Sequence, residues 1–414
     1  MTNPTPREFD PEFIEARSAP DRQMYRAERA SREPMRSVLD NNPEIYSVPP
    51  RRASDWGNWE FKAGSYYDTT TGSKHPDWAG LELPQPAKDI DRLRADLVRW
   101  GYCLVEDALS QEQVERVRTR VLEQAEGERL AGIAQRTPSG QNINCCVNKG
   151  RCFELLIEQH PSAMQGGALV EQLVTEALGP TWISTSMIAA LALKGGVPQA
   201  LHQDQAVWAD SPHPQLFNVL TAATDFNETT GGTLVIPGSH ATIAEAVRER
   251  GPVGKLPPAI NVEAKAGTAV VYDGRILHGT GINHTDAPRI AILNGMSPSW
   301  LRQQENWMLS VRPEVLRRAS PKLLQRMGYQ ATTGSATHEG HGFNARGLLS
   351  EAAGALVAFR LAADEGRYVR VGELGPDSSR EDLEAEYTLR EVVEAARAAR
   401  QSNPRQAFDP GKVR

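Results

Sequence analysis

Between residues 181 and 297 the chain breaks into short β-forming runs: ISTSMIAALAL, NVLTAATDF, GTLVIPG, AINVEA, GTAVVYDG, ILHGTG and RIAILNG. Glycine, proline, Asn or Asp punctuates them, and one short helical insert falls near 242–250. Many short strands at such close spacing predict a sandwich, a jelly roll or a small barrel. The chain has no GxGxxG fingerprint, no GxxxxGK phosphate loop and no GxSxG elbow, so Rossmann, P-loop and α/β-hydrolase readings fall away.

The texture changes on both sides of this region. In DIDRLRADLVRWG the apolar positions Ile90, Leu93, Leu97 and Trp100 recur at helical spacing, and Gly101 is a stop. YCLVEDAL reads as a short strand. SQEQVERVRTRVLEQAEGE opens on the capping pattern Ser110 to Gln113 and continues as a helix. A third helix is expected over about 168–178, before Gly179-Pro180. Residues 1–54 read as surface helices or an arm. Residues 55–87, with Trp56, Trp59, Tyr66, Tyr67 and Trp78, read as an aromatic loop folded over something else. The tail reads as mostly helical, through PEVLRRASPKLLQRM, ARGLLSEAAGALVAFRLAADEG and the 380–400 segment.

Composition narrows the class. Of 414 residues, 40% are hydrophobic and 24% charged, which is globular usage, and 46 Lys plus Arg against 52 Asp plus Glu give a net charge of −6. That balance disfavours a general nucleic-acid or membrane-surface binder. No apolar run approaches the ~20 residues of a membrane span, and the N-terminus lacks the apolar stretch of a secretory signal. The four cysteines, Cys103, Cys145, Cys146 and Cys152, lack zinc-knuckle spacing and are too few for a disulfide scaffold. The expectation is a soluble cytoplasmic protein with reduced thiols.

Within the β region, His202-Gln203-Asp204 follows a long β run and a Gly-Gly-Val-Pro loop. In extended chain residues i and i+2 face the same side, so His202 and Asp204 can offer an imidazole and a carboxylate to one point. His278 follows the strand GTAVVYDGRIL and supplies a second imidazole. Two imidazoles and one carboxylate form the facial set that leaves half of an octahedral Fe(II) shell open, where a 2-oxo acid and O2 can bind. A 2-oxo acid with a distal carboxylate needs a cation away from the metal. Arg289, eleven residues after His278, is a candidate, because a guanidinium grips a carboxylate in a fork. Thr280 shares a face with His278, and its hydroxyl can donate to the same carboxylate. Each element alone has an ordinary reading: a chance HxD triplet, a core histidine, a solvated arginine. Their order, β context and spacing carry the specificity.

The stretches GYCLVEDALSQEQVERVR, ALHQDQ, TDFNETTGGTLVIPGSH and GTAVVYDGRILHGTGINHTDAPRIAI resemble, in family order, the phytanoyl-CoA dioxygenase (PhyH)-like enzymes over about residues 88–300. The resemblance implies an α+β fold, mainly β: a double-stranded β-helix, or jelly roll, flanked by helices. It implies iron ligands at His202, Asp204 and His278, and 2-oxoglutarate held by Arg289 and Thr280, with Gln203 approaching that cosubstrate. Halogenating relatives replace the carboxylate with Ala or Gly, so Asp204 favours hydroxylation, desaturation or rearrangement. The expected activity is Fe(II)- and 2-oxoglutarate-dependent oxidation, by O2, of a small metabolite or natural-product intermediate, with succinate and CO2 released. The rivals are a cupin-type isomerase or lyase working without 2-oxoglutarate, for which Arg289 would be superfluous, and a non-catalytic jelly-roll binding protein.

Other residues read as structural or loop positions: His240 in PGSH, His284 in NHTDAP, His213 between prolines, and His338 and His341 in THEGHG. Trp208 reads equally as pocket lining or barrel wall. The expected organisation is an arm (1–87), an oxygenase domain (88–300) and a helical extension (301–414). The arm and the extension would serve as pocket lid or homodimer contact.

Overall fold

The computed structural model describes residues 26–27, 29–47, 74, 76–205, 211, 213–248 and 259–329, and the backbone of 358–362, 367–371 and 386–387. The chain divides into two compact units, Met1–Val315 and Leu316–Arg414. Trp56, Trp59, Tyr66, Tyr67, Trp208, His338 and His341 lie outside the described residues.

Eleven described strands build the first unit. They are β1 (Pro86–Ala87), β2 (Tyr102–Val105), β3 (Gln135–Thr137), β4 (Gly140–Ile143), β5 (Trp182–Ala192), β6 (Phe217–Ala222), β7 (Thr233–Val235), β8 (Ile260–Asn261), β9 (Ala269–Asp273), β10 (His278–Thr280) and β11 (Arg289–Pro298). Each of the seven β runs read from the sequence overlaps one of β5 to β11. The β3–β4 hairpin was not foreseen, because its polar residues lack the apolar alternation that marks a strand. An eight-stranded sheet runs in the order β1-β2-β9-β6-β11-β5-β4-β3, and a three-stranded sheet in the order β10-β7-β8. Apart from the short parallel pair β1–β2, the pairings in these two sheets are antiparallel. The fold is thus mixed α/β, with a large sheet and flanking helices.

Helix ends follow local chemistry. Asp89 caps the helix Ile90–Trp100 by accepting from the Arg92 amide at 2.8 Å. Gly101 closes it at φ 81°, in the left-handed region that glycine enters without penalty. A Cβ there would also lie 2.5 Å from His240 Nδ1, so two constraints demand glycine. The helix Gln111–Leu130 opens on the complete Ser110–Gln113 capping box read from the sequence. No described helix is long and apolar enough to cross a membrane.

Period-2 alternation divides the large sheet into two faces. Along β11, Arg289, Ala291, Leu293 and Gly295 line a cavity, while Ile292, Asn294 and Met296 meet Leu156, Met164, Met187 and Val219 on the other face. A core of Trp78, Trp100, Tyr102, Leu104, Phe226, Val235, Ile260, Val270 and Tyr272 joins residues of both sheets. Trp78 and Trp100 meet edge to face at 6.3 Å, and Trp100 Nε1 donates to Glu82 O at 2.9 Å.

In the second unit, β12 (Ala358–Ala362), β13 (Arg367–Val371) and β14 (Glu386–Tyr387) form an antiparallel sheet in that order. This corrects the helical reading of ARGLLSEAAGALVAFRLAADEG over 358–362, and of the 380–400 segment at 386–387. Phe359 and Leu361 alternate with Arg360, and the register sets Leu361 opposite Tyr368. That strand period overrides the helix-favouring Ala and Leu content around it. PEVLRRASPKLLQRM is helical in two pieces, Pro313–Arg318 and Pro321–Arg326, with Ser320 capping the second.

Trp78 is 1% exposed at the heart of the core. Trp78→Ala is expected to lower the unfolding free energy by ~3–5 kcal/mol. Urea denaturation checks this; a loss below about 1 kcal/mol would mean that Trp78 covers the core without supporting it.

Candidate functional site

Two main-chain hydrogen bonds assemble the site. His202 N donates to His278 O and His278 N donates to His202 O, both at 3.0 Å, as an isolated antiparallel bridge. His278 begins β10, whose register with β7 sets it opposite Val235. The bridge thereby ties the His202 loop to the small sheet and brings the two imidazole rings to 4.5 Å between centroids. Asp204, two residues on from His202, returns to the same side. Its Oδ1 lies 3.4 Å from His202 Nε2 and its Oδ2 lies 3.4 Å from His278 Nε2. One ligating atom from each of the three residues lies within 4.8 Å of the others, the only such group of three among the described residues.

The orientation of both rings is fixed from behind. His202 Nδ1 lies 3.0 Å from Ala200 O, and His278 Nδ1 lies 3.1 Å from Ile276 O. A carbonyl oxygen only accepts, so each Nδ1 carries the hydrogen and each Nε2 faces Asp204, as a lone pair in the neutral ring and as a hydrogen-bond donor in the protonated one. Asn218 on β6 donates from Nδ2 to Asp204 Oδ2 at 2.9 Å. Tyr272 on β9 packs against the His278 ring, with its hydroxyl 3.4 Å from Nε2.

Burial alone would raise the Asp204 carboxyl, but the hydrogen bonds and charges of the two imidazoles outweigh it and hold it well below the usual carboxylate range. For His202 burial acts downward. The bonds to Asp204 and Ala200 O overcome it, so that ring titrates above its ordinary value. Desolvation drives the Tyr272 hydroxyl far upward, so it stays protonated. This cluster is an anionic carboxylate between two well-oriented nitrogen donors, a set that can hold a divalent transition metal.

The triad opens into a cavity of about 570 Å³, within the range of small-molecule sites. Arg289, at the start of β11, lines it and is 2% exposed. Its Nε donates to Gly231 O at 2.9 Å, and its guanidinium lies over the Phe226 ring at 5.1 Å. No acidic side chain pairs with it among the described residues, and burial brings it down to about 10, which leaves it cationic at neutral pH. Thr280 lines the same cavity, and its hydroxyl donates to Gln199 Oε1 at 3.3 Å. Gln203 is not among the lining residues. Its amide donates to Arg275 O, as the alternation that groups His202 with Asp204 requires of the residue between them.

The other described histidines stand apart from the triad. His240 is buried at the Gly101 turn, His213 bonds Arg36, and the His284 main chain bonds Thr229 O. Of the cysteines, Cys103, Cys146 and Cys152 are buried; burial raises all four thiols, which are unpaired. Sequence reasoning missed Asn218 and Tyr272. Both sit on strands it identified, but which strand lies beside which depends on pairings that the sequence pattern does not reveal.

Residues 97–291 match the phytanoyl-CoA dioxygenase (PhyH) family. The chain is similar to dioxygenase af480 of Aspergillus fumigatus, at 32% identity over 166 residues that make up 38% of this chain and 52% of that protein. It is also similar to dioxygenase FUM3 of Gibberella moniliformis, at 35% identity over 118 residues, 27% of this chain and 37% of that one. The chain therefore spans about half, or less, of the length of these relatives. Among solved structures it is similar to SnoN, a non-heme alpha-ketoglutarate-dependent epimerase from nogalamycin biosynthesis, with a TM-score of 0.40 and 21% identity over 51% of this chain and 81% of that one. His202, Asp204, His278 and Arg289 all fall inside the segment that matches the phytanoyl-CoA dioxygenase (PhyH) family.

Proposed function

We propose that this chain is a non-haem Fe(II)- and 2-oxoglutarate-dependent dioxygenase. It oxidises a small organic metabolite or natural-product intermediate in the cytoplasm, by hydroxylation or by a desaturation or rearrangement. One observation carries the reading: a buried guanidinium with no acidic partner among the described residues, Arg289, lines the same cavity as a cluster of two imidazoles and one carboxylate. An isomerase or lyase of the cupin type would have no use for that cation. The dioxygenase names of the relatives support the same class.

The donor set suits iron. Two imidazole nitrogens and a carboxylate oxygen on one side of a metal leave positions free for a chelating 2-oxo acid and O2. His202, Asp204 and His278 are the proposed ligands, with Nε2 of each ring as the donor atom. Bound iron supplies the oxygen chemistry, with 2-oxoglutarate oxidised to succinate and CO2. The chain's own task is to bind, orient and exclude water. Arg289 holds the distal carboxylate, and Thr280 adds a hydroxyl beside it. Asn218 fixes the Asp204 carboxylate, and the Nδ1–carbonyl bonds fix both rings. Gln203 has no part in this reading, because its amide is engaged with Arg275 O. We assign the chemistry to a domain over 88–300, with the two sheets as the walls of a double-stranded β-helix.

Adding Fe(II) and 2-oxoglutarate without O2 is expected to give a visible absorption band that is lost in Asp204→Ala and His278→Ala. Absence of the band from the wild type would end the oxygenase reading. Arg289→Met is expected to weaken 2-oxoglutarate binding about 10–100-fold, the worth of a charge-assisted bond, while metal affinity stays. Full activity in that variant would favour the cupin-type rival.

Asn218→Leu removes the donor to Asp204 Oδ2 and is expected to weaken metal binding ~10–100-fold. Titration with Co(II), followed by its ligand-field absorption, measures this. An unchanged affinity would show that Asp204 is held without Asn218.

A further inference from the structure

Where β5 pairs with β11 the register slips. Gly295 lies opposite Ser186 and Met296 opposite Ser184, which leaves Thr185 as the extra residue of a β-bulge. A bulge breaks the strict alternation of faces. Consecutive residues Thr185 and Ser186 accordingly both line the cavity. The bulge is tied down by the loop that follows β11. Glu305 N donates to Thr185 O at 2.9 Å, Gln303 Nε2 to Ser184 O at 2.8 Å, and Ser186 Oγ to Gln304 Oε1 at 3.2 Å.

Two features mark this end of the cavity as built for a ligand. Thr185 is 1% exposed, and its hydroxyl has no hydrogen-bond partner among the described residues, a costly state for a buried polar group. Opposite it stands Gly295. A Cβ there would lie 2.8 Å from Thr185 Oγ1, 3.3 Å from Ser186 Oγ and 3.4 Å from Asn218 Oδ1, so only glycine fits against these three side chains at this part of the lining. Asn218 in turn holds Asp204, which sets this part of the lining one side chain away from the triad. Arg289 is six residues back along β11, roughly 20 Å away at ~3.3 Å per residue, too far for one small dicarboxylate to occupy both ends. Among the described lining residues the only charged or titrating side chains are the triad, Arg289 and Tyr272. No charged side chain lines the Thr185 end, and the Glu305 carboxylate behind it is engaged by Met187 N and Trp307 Nε1. A substrate carboxylate or ammonium there would be desolvated without a counter-charge.

We propose that Thr185, Ser186 and Gly295, which line the cavity together, form a subsite that accepts a neutral oxygen function of the organic substrate, a hydroxyl or carbonyl. The proposal rests on the oxygenase reading and names its substrate class: neutral, oxygen-bearing carbon skeletons rather than acids, amines or phosphate-bearing thioesters.

The test uses the full-length protein with no metal or cosubstrate added, and three probes on one skeleton: 2-decalol, 2-decalone and decalin-2-carboxylate. Ligand-observed NMR titration gives their affinities. The alcohol and ketone are expected to bind at least about tenfold more tightly than the carboxylate. Thr185→Val should remove that preference, Thr185→Ser should keep it, and Gly295→Ala should abolish binding of both neutral probes. Thr185→Val deletes only an unpartnered hydroxyl, so its thermal midpoint should not fall. Equal affinity for alcohol and carboxylate overturns the proposal, as does no binding of either neutral probe to the wild type, or an unchanged preference in Thr185→Val. The Fe(II)–2-oxoglutarate band, measured separately, should be the same in wild type and Thr185→Val. Loss of the subsite and failure of the oxygenase reading are thus told apart.

Discussion

The pair of main-chain hydrogen bonds between His202 and His278 is the constraint on which the site depends. Each contributes only about 0.5–1.5 kcal/mol net, but together they set the distance between chain segments 76 residues apart. An antiparallel pair that exchanges both bonds has its Cα atoms about 5.5 Å apart, so the two rings meet without further adjustment. The local geometry then does the rest. Extended chain returns Asp204 to the side of His202, and the carbonyls two residues before each histidine lock the ring nitrogens. A loop flap and a sheet edge become one rigid donor set.

The large sheet divides stability from function by the parity of its residues. On β11 the odd positions from 289 to 295 face the cavity, and Ala291 and Gly295 among them are small enough to keep it open. The even positions 292, 294 and 296 face Leu156, Met164 and Met187. A one-residue slip in this strand would exchange a cavity wall for a core wall. The bulge at Gly295/Met296 is a local, pinned departure from that rule, and it lies where a second inward side chain is useful.

The same parity explains what the sequence disclosed. The seven strands from β5 to β11 were legible because glycine, proline, Asn and Asp mark their ends. Within each half of the candidate site the relations are short-range and legible, two residues from His202 to Asp204 and eleven from His278 to Arg289, whereas the bridge that joins the halves spans 76 residues. Gln203 sits at the opposite parity to His202 and Asp204, and its amide is engaged with Arg275 O. Asn218, Tyr272, Thr185 and Gly295 act through cross-strand register and a bulge, which no single stretch of sequence specifies. The second unit shows the opposite failure, where Ala and Leu content hid the alternation of Phe359 and Leu361.

Arg289 and Thr185 express one principle at two ends of the cavity. A guanidinium buried over an aromatic ring and bonded to a single carbonyl has exchanged most of its hydration for weak partners. A buried hydroxyl without any partner has done the same on a smaller scale. Neither helps the unliganded fold, because both groups would be better solvated in the unfolded chain. On the proposed reading both become favourable once a ligand of matching chemistry arrives, an anion at Arg289 and a neutral oxygen at Thr185. A ligand that binds only the folded state stabilises it in proportion to the logarithm of its concentration. On that reading the unmet polar capacity of the cavity wall serves as recognition energy, held in reserve by the sheet that frames it.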